Sequence, residues 1–300
     1  MKKKVMKEST AWQIGAHTVM IIGSLLAILP FILLVIASFT DNQTALVNGY
    51  SFTPEKWSLE AYQYIASEWA TIGRAYLMTI LVTVIGTALS LVITSTFAFA
   101  VSNDKLPGHK ILMFLCIFTM LFNGGLVASY YVYSNIFHIK NTIWALIVPT
   151  FLMSPFNVVL VKNYFSNSIS PSILEAARMD GAGVFAVFTK IVMPLSVPIM
   201  ATVGLMTAIS YWNDWTNGLY YLTENGGSQY YTIQLVLNQI NENINFLANN
   251  SDVAAKAAQQ LPSTTMRMAI AVIGILPIMC AYPFFQKYFV KGITLGGVKE

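Results

Sequence analysis

Six apolar segments, each about long enough to cross a lipid bilayer, constrain this chain more than any other feature of its sequence. A membrane helix needs roughly 20 mostly apolar residues to cross about 30 Å of hydrocarbon. The segments cover residues 13–39, 75–101, 111–134, 142–161, 195–212 and 268–285. Only 10% of the 300 residues are charged and 56% are hydrophobic, so the sequence predicts an all-α polytopic membrane protein with six transmembrane helices.

The basic residues predict the orientation of these helices. If the N-terminus is cytoplasmic, twelve Lys and Arg residues face the cytoplasm and five face outward, as the positive-inside rule requires. Both termini then lie in the cytoplasm, and residues 40–74 and 214–266 form long outer segments. The basic residues form no stripe or patch, so the net charge of +4 does not indicate a nucleic-acid partner.

This topology predicts three parts of the chain. Residues 1–74 contain the N-terminal tail, the first span and an outer segment. Residues 75–290 form the core, which includes a cytoplasmic loop at 163–194 and an outer loop at 214–266, and residues 291–300 are a cytoplasmic tail. The aromatic and acidic residues of the first outer segment are typical of short interfacial helices.

The interiors of the predicted spans contain no Asp, Glu, Lys or Arg, and His17 is their one ionisable residue. An ion-coupled carrier usually needs a titratable group at depth, and an intramembrane enzyme needs a catalytic pair there. We therefore predict no catalytic residues. Cys116 and Cys280 lack metal-ligand spacing, so we predict no metal site either. An ion-coupled secondary carrier for a neutral polar solute remains the alternative, because backbone carbonyls can also coordinate an ion.

Uncharged polar and aromatic side chains are candidates for lining a passage for a hydroxyl-rich solute, because amides and hydroxyls both donate and accept hydrogen bonds. The candidates are Asn123, Tyr130, Tyr131, Asn157, Trp212 and Asn213. Hydrogen bonding between helices explains each of the polar ones at least as well. The helix breakers Gly124-Gly125, Pro149 and Pro155 are tolerated at depth only where the freed backbone faces protein or a cavity, which indicates a path through the middle of the chain.

The loop between the fourth and fifth predicted spans has the start and stop signals of a short helix. Ser170 can cap its N-terminus, Pro171 suits its first position, and Gly181 can end it in the left-handed conformation. Ile173, Leu174 and Ala177 would form an apolar contact surface. About ten residues make a rod of roughly 15 Å, long enough for a groove on another protein. These residues alone leave a docking helix and an ordinary interfacial helix both open.

The run Glu175-Ala176-Ala177, Asp180-Gly181-Ala182, Ile191 and Pro194 resembles the EAA loop of the membrane subunits of binding-protein-dependent ABC importers. Met193 stands where leucine is more usual. The resemblance extends from about residue 70 to the C-terminus and is closest to the carbohydrate-uptake branch, to its second, six-span permease of the maltose and multiple-sugar type. The stretch from Gly124-Gly125-Leu126 to Tyr133 favours the subgroup that imports oligosaccharides.

This resemblance implies a type I ABC importer permease fold in the bacterial cytoplasmic membrane. It implies a second homologous permease, two ATPase subunits that bind ATP and Mg²⁺, and an extracellular binding protein that delivers a sugar or oligosaccharide. The residues it assigns to ATPase coupling are Glu175, Ala176, Ala177, Arg178, Asp180 and Gly181. The chain contains no Gly-Lys dipeptide and therefore no P-loop, so we expect no cofactor and no enzyme activity in this chain itself.

Overall fold

The computed structural model describes residues 10–249, 265–280 and 283, and the regular secondary structure of these residues is helical apart from one isolated β-bridge. The α-helices are α1 (Thr10–Ser38), α2 (Asn42–Asn48), α3 (Glu60–Ser67), α4 (Trp69–Val101), α5 (His109–Leu121), α6 (Gly125–Tyr131), α7 (Trp144–Ile147), α8 (Pro155–Ser168), α9 (Pro171–Met179), α10 (Val184–Val187), α11 (Met193–Leu195), α12 (Val197–Trp212), α13 (Thr216–Tyr221), α14 (Glu224–Gly227), α15 (Ile233–Asn249) and α16 (Thr265–Cys280). Two π-helical turns, Val132–Ile136 and Phe188–Val192, follow α6 and α10, and a 3₁₀ turn, Ser228–Tyr230, follows α14.

The described helices confirm a polytopic membrane protein but not six straight spans. Trp12–Ser38 and Trp69–Val101 are each long and apolar enough to cross a membrane. Two further spans are present if each bent pair counts as one: His109–Leu121 with Gly125–Ile136, bent by 119°, and Val184–Leu195 with Val197–Trp212, bent by 79°. The predicted sixth span is described as α16, and most of residues 281–285 lie outside the described residues.

Contacts divide the chain into two units, of which the first is Met1–Glu68 with Asn241–Leu276. In this unit α1 is apolar and its side chains are largely exposed. Immediately after α1, Asp41 donates its backbone N–H to the carbonyl of Lys56 over 3.0 Å, and its carboxylate accepts from the Lys56 ammonium over 3.0 Å. The Lys56 hydrogen bond lowers the pKa of Asp41, which also caps α2 by accepting from the Thr44 N–H.

The second unit, Trp69–Ile240 with Pro277–Glu300, is organised along α4, which packs mainly on α12 and α8. One buried cluster surrounds Ala98 near the end of α4 and includes Val161 of α8 and Val203 of α12. A second cluster surrounds Val82 and includes Ile147. Because α-helices rise 1.5 Å per residue, the two clusters are about 24 Å apart along α4.

The third predicted span breaks at residues 122–124. The φ of Gly125 is +81°, a left-handed conformation that glycine adopts without strain. The side-chain oxygen of Asn123 accepts from the Gly125 N–H over 2.8 Å and so satisfies one of the free donors at the start of α6. The glycine pair predicted as a breaker therefore marks a sharp bend.

The predicted span over residues 142–161 is interrupted. The chain forms α7, then irregular backbone through residues 148–154, then α8. Pro149 and Pro155 lack an N–H and disfavour helical conformation in the residue before them, which explains the interruption. Both proline positions were singled out as breakers, but the sequence did not show how much backbone they would free.

Side chains from other helices satisfy the carbonyls of this irregular segment. The Tyr211 hydroxyl of α12 donates to the carbonyl of Ile147 over 2.8 Å, and Asn217 of α13 donates to that of Pro149 over 3.4 Å. Ser90 of α4 donates to the carbonyl of Phe151 over 3.2 Å. The break is therefore tied to three neighbouring helices.

We expect Tyr211→Phe to destabilise the protein by about 1–3 kcal/mol, because it leaves a buried carbonyl without its donor. Tyr211 is 1% exposed, so water cannot easily replace the hydroxyl. Tyr220→Phe is the matched control, because Tyr220 is 39% exposed. Thermal unfolding of the purified protein in nanodiscs should show a lower midpoint for Tyr211→Phe only, and equal midpoints for both variants would contradict the role of this bond.

Candidate functional site

The start of α9 confirms most of the predicted helix signals. Ser170 occupies the N-cap position with extended backbone (φ −63°, ψ 130°), and Pro171 begins the helix. The Ser170 hydroxyl does not cap a backbone N–H, however, because it pairs with the Ser172 hydroxyl at 2.7 Å. The proline and the N-cap backbone therefore define this end of the helix without the predicted side-chain bond.

Gly181 ends α9 as the sequence predicts. Its φ is +82°, in the left-handed region. The Gly181 N–H donates to the carbonyl of Arg178 and the Ala182 N–H donates to that of Ala177, each over 3.0 Å. This pair of bonds is the Schellman arrangement, which satisfies two carbonyls at the helix end and turns the chain sharply towards α10.

The two faces of α9 differ from the expected single contact surface. Leu174 and Ala177 are partly buried and pack against the cluster around Ala98, whereas Ile173 is exposed, so the three residues predicted as one apolar contact surface are divided between the core and the outer face of α9. The exposed face carries Glu175, Ala176, Arg178 and Asp180 with the neighbouring Ile173. Neither Glu175 nor Arg178 forms an ion pair with any residue that the structure describes, which leaves both charges available to a partner.

Three large apolar side chains beside Gly181 are unusually exposed. Met179 is 88% exposed, and Val184 and Phe185 of α10 are 73% and 78% exposed. We call these three residues the apolar edge. Sequence reasoning missed Met179 and Phe185 as contact residues, although large apolar side chains on both sides of a helix-ending glycine in a polar loop were a usable signal.

From Val184 to the end of α12 the chain is helical with one bend. Val187 and Val192 are buried in the cluster around Ala98, and the π turn Phe188–Val192 joins α10 to α11. The helical run Val184–Leu195 then meets Val197–Trp212 at 79°. Because Leu174, Val187 and Val192 pack into one cluster with α8 and α12, a displacement of α9 is transmitted to these helices.

Two of the candidate pathway residues serve local structure. The side-chain oxygen of Asn123 accepts from the Gly125 N–H at the start of α6. Asn157 is 7% exposed and donates to the Thr207 hydroxyl of α12 over 3.2 Å, which is the interhelical hydrogen bonding that the sequence left open. Asn123 and Asn157 thus have structural partners, and their role in lining a path stays a prediction.

Tyr130 and Tyr131 lie on α6, near the strained turn between His138 and Asn141, both of which have positive φ. The Lys140 ammonium donates to the Tyr130 hydroxyl over 2.7 Å. The Tyr130 ring stacks on Tyr221 of α13, with ring centres 5.8 Å apart. Tyr131 is 59% exposed, so it is the more accessible of the two tyrosines.

Trp212 and Asn213 end α12 at a buried polar turn. Trp212 is 8% exposed and lies beside Tyr76 of α4, whereas Asn213 is exposed. The carboxylate of the next residue, Asp214, accepts from the backbone N–H groups of Thr216 and Asn217 over 3.1 and 3.2 Å. Burial raises the pKa of Asp214, and these hydrogen bonds oppose that shift.

A family model described as "Binding-protein-dependent transport system inner membrane component" matches residues 89–295. The chain is 37% identical to the polygalacturonan/rhamnogalacturonan transport system permease protein of Bacillus subtilis (strain 168), over 92% of this chain and 94% of that protein. It is 26% identical to the arabinooligosaccharides transport system permease protein of Halalkalibacterium halodurans, over 91% of this chain and 92% of that protein.

Among solved structures, the chain is similar to a subunit of a bacterial ABC transporter involved in the import of the acidic polysaccharide alginate. The TM-score is 0.78 with 28% sequence identity, and the alignment covers 93% of this chain and 96% of that chain. A likeness of this extent covers both the predicted membrane core and the loop that contains α9.

The apolar edge can be tested by cysteine labelling of the purified permease without partners. In a background with Cys116 and Cys280 replaced by alanine, Phe185→Cys should react rapidly with a maleimide. Val187→Cys, two residues along the same helix, should react much more slowly because Val187 is 2% exposed and Phe185 78% exposed. Similar rates for the two thiols would show that α10 does not present this face.

Proposed function

The chain belongs to the family of inner-membrane components of binding-protein-dependent transport systems, and we propose that it is a permease subunit that imports a sugar or oligosaccharide. The single observation that carries the mechanism is the form of α9, a short exposed helix that is closed by Gly181 and packed onto the core through Leu174. The cargo class is supported by the names of the relatives, which include transport permeases for polygalacturonan, rhamnogalacturonan and arabinooligosaccharides.

In the proposed orientation, α9 faces the cytoplasm of a bacterial cell, and both chain termini lie on the same side. The distribution of twelve basic residues inside and five outside supports this orientation. Since α9 packs near Ala98 at one end of α4, the residues around the start of α4 then lie at the outer end of the second unit.

The partner at α9 in this proposal is a separate ATPase subunit, which binds ATP and Mg²⁺. Glu175, Ala176, Arg178, Asp180 and Gly181 form the exposed docking face, and Ala177 holds that face onto the core. The apolar edge extends the face beyond Gly181 and supplies apolar area for the contact. Since the chain lacks a P-loop motif, the ATPase activity belongs to that subunit and this chain acts as a transporter component rather than an enzyme.

Movement of the ATPase reaches the membrane through packed side chains. A push on α9 acts on Leu174 and Ala177, which contact the cluster formed by Val161 of α8, Val192 and Val203 of α12. Protein interiors are close-packed and compress little, so the push displaces α8 and α12 together. The bend at Ser196, where α11 gives way to α12, allows the two helical pieces to change their angle.

The other partners in the proposal are a second homologous permease, a second ATPase subunit and an extracellular binding protein that meets the outer loop at 214–266. The six candidate pathway residues would contribute to one half of the passage. Asn123, Tyr131 and Asn213 are the exposed members of this set, and we propose Tyr131 and Asn213 as the first to test for contact with cargo because Asn123 already bonds the start of α6.

The proposal is tested by uptake of labelled oligosaccharides into proteoliposomes that contain both permeases and the ATPase subunits, with binding protein outside. Uptake should require ATP inside and the binding protein outside. Omission of the ATPase should stop uptake even when a proton or sodium gradient is imposed. Gradient-driven uptake without the ATPase would instead support an ion-coupled carrier.

We expect either Gly181→Leu or Glu175→Lys to abolish uptake while membrane insertion stays normal. A residue with a β-carbon pays roughly 1–2 kcal/mol in the left-handed conformation, so leucine displaces the end of α9. No atom lies within 4 Å of a β-carbon built on Gly181, so the bundle itself has room for the change. Glu175→Lys reverses a charge on the docking face.

Gly181→Asn is the matched control, because asparagine tolerates the left-handed conformation better than other side chains. It should keep most of the uptake, and all three variants should reach the membrane at similar levels. Normal transport by Gly181→Leu or by Glu175→Lys would refute the coupling role of α9.

A further inference from the structure

The bend between α11 and α12 lies where the loop that contains α9 meets the fifth predicted span. The helical run Val184–Leu195 meets Val197–Trp212 at 79°, and Ser196 alone separates the two runs. Pro194 and Pro198 flank this residue, and neither can donate the backbone hydrogen bond that a straight helix requires. The chain can therefore change direction here without breaking a continuous run of helical bonds.

Ser196 occupies the N-cap position of α12 but does not cap the helix. Its backbone has φ −100° and ψ 6°, whereas a capping residue typically has extended backbone, and its side chain makes no bond to the first turn. The Ser196 hydroxyl is fully buried and has no hydrogen-bond partner among the residues that the structure describes. A buried hydroxyl without a partner is unfavourable, so this conformation leaves the bend incompletely satisfied.

A second hydroxyl without a partner lies on the helix that packs against this bend. Thr94 of α4 is fully buried, and its hydroxyl is likewise unpaired within the described part of the chain. Thr94 precedes Ala98 by about one helical turn and so shares its face of α4. Ala98 packs in the same cluster as Val192 and Met200, which stand on either side of the bend. Both unpaired hydroxyls therefore border the same packed region.

The Tyr164 hydroxyl stabilises the bend in the conformation that the structure shows. It donates from α8 to the carbonyl of Leu195 over 3.1 Å. Because Leu195 ends α11, its carbonyl lacks a donor within that helix. The Ser196 N–H donates to the carbonyl of Met193 over 3.1 Å and closes the same turn. The carbonyls at the end of α11 thus have donors, whereas the N–H groups that begin α12 lack the side-chain cap that Ser196 could supply.

We propose that Ser196 is the switch of this bend: in a second conformation its backbone moves towards the extended region and its hydroxyl accepts a hydrogen bond from the Ile199 N–H. Ile199 is the third residue of α12, a position whose N–H a serine cap binds. The proposal rests on the proposed function, because a push on α9 is what changes the angle between the two helical runs. Tyr164 then stabilises one angle and Ser196 the other.

A serine that merely fills space at the bend is the competing explanation. Loss of an unused buried hydroxyl would then leave the ratio of the two conformations unchanged. A switch predicts opposite effects for the two hydroxyls, because Tyr164 bonds only in the conformation that the structure shows and Ser196 only in the other. Ser196 is thus a positioning residue, which acts through the backbone of α12 rather than on the cargo.

The test is the distance between two spin labels on either side of the bend, measured by pulsed electron paramagnetic resonance on the complete importer in nanodiscs. Lys190→Cys and Met206→Cys, both exposed positions, carry the labels in a background with Cys116 and Cys280 replaced by alanine. Measurements without nucleotide and with ATP and vanadate should give two distances, one of which matches the structure.

Ser196→Ala should lower the population of the second distance relative to the first by about fivefold, the typical effect of losing an N-cap serine. Tyr164→Phe should raise it by about threefold, because the loss of one neutral hydrogen bond weakens the conformation that the structure shows. Ser95→Ala is the matched control, since Ser95 is a buried serine of α4 whose hydroxyl already bonds the carbonyl of Val92. It should leave the ratio unchanged.

Thermal unfolding of the purified permease gives a second measurement. The midpoint should not fall in Ser196→Ala, because the hydroxyl has no partner in the conformation that the structure describes. A lower midpoint would show that this hydroxyl is bonded in that conformation and would overturn the switch.

The remaining outcomes separate this proposal from the function on which it rests. An unchanged ratio in Ser196→Ala, an equal shift in Ser95→Ala, or shifts in the same direction for Ser196→Ala and Tyr164→Phe would overturn the switch. A single distance under both nucleotide conditions in the wild type would also overturn it. ATP-driven uptake is measured on the same labelled importer, and in each of these cases normal uptake leaves the importer function standing. Failure of the wild type to import any saccharide with ATP would overturn the proposed function itself.

Discussion

The second unit depends on the satisfaction of backbone groups where its helices are interrupted. Irregular backbone at membrane depth is tolerated only where protein or a water-filled cavity covers it, because lipid offers no hydrogen-bond partners. Between α7 and α8 this requirement is met by Ser90, Tyr211 and Asn217, which come from three other helices. The irregular segment is therefore hydrogen-bonded to α4, α12 and α13, so the interruption of one span joins three other helices.

Close packing around Tyr211 makes that attachment specific. A β-carbon on Gly86 of α4 would lie 2.6 Å from the Tyr211 ring, so glycine is required for the ring to reach its position. Phe151, in the irregular segment, packs edge-on against the same ring with centres 5.3 Å apart. The Tyr211 hydroxyl, the space beside Gly86 that its ring occupies and the irregular segment whose carbonyl it satisfies thus come from three distant parts of the sequence.

The sequence predicted local features well and long-range ones poorly, for a physical reason. The ends of α9 follow from Pro171 and Gly181, whose backbone preferences act within a few residues, and both were predicted correctly. The inward packing of Leu174 was missed, because helix periodicity shows that a face is apolar but not what covers it. The prolines of the span over 142–161 were recognised as helix breakers, but the extent of the irregular segment was not, because the donors that satisfy its carbonyls come from Tyr211 and Asn217, more than 60 residues away in the sequence.

The contacts at the two ends of α4 differ in kind. Around Ala98 the contacts are apolar and dense, so a displacement of α9 is carried to α8 and α12 without the cost of breaking directional bonds. Around Val82 the apolar cluster is joined by fixed hydrogen bonds, such as Thr79 with Ile233, which resist changes in geometry. In the proposed mechanism, a push on α9 therefore moves α8 and α12, whereas the hydrogen-bonded contacts near Val82 hold their geometry.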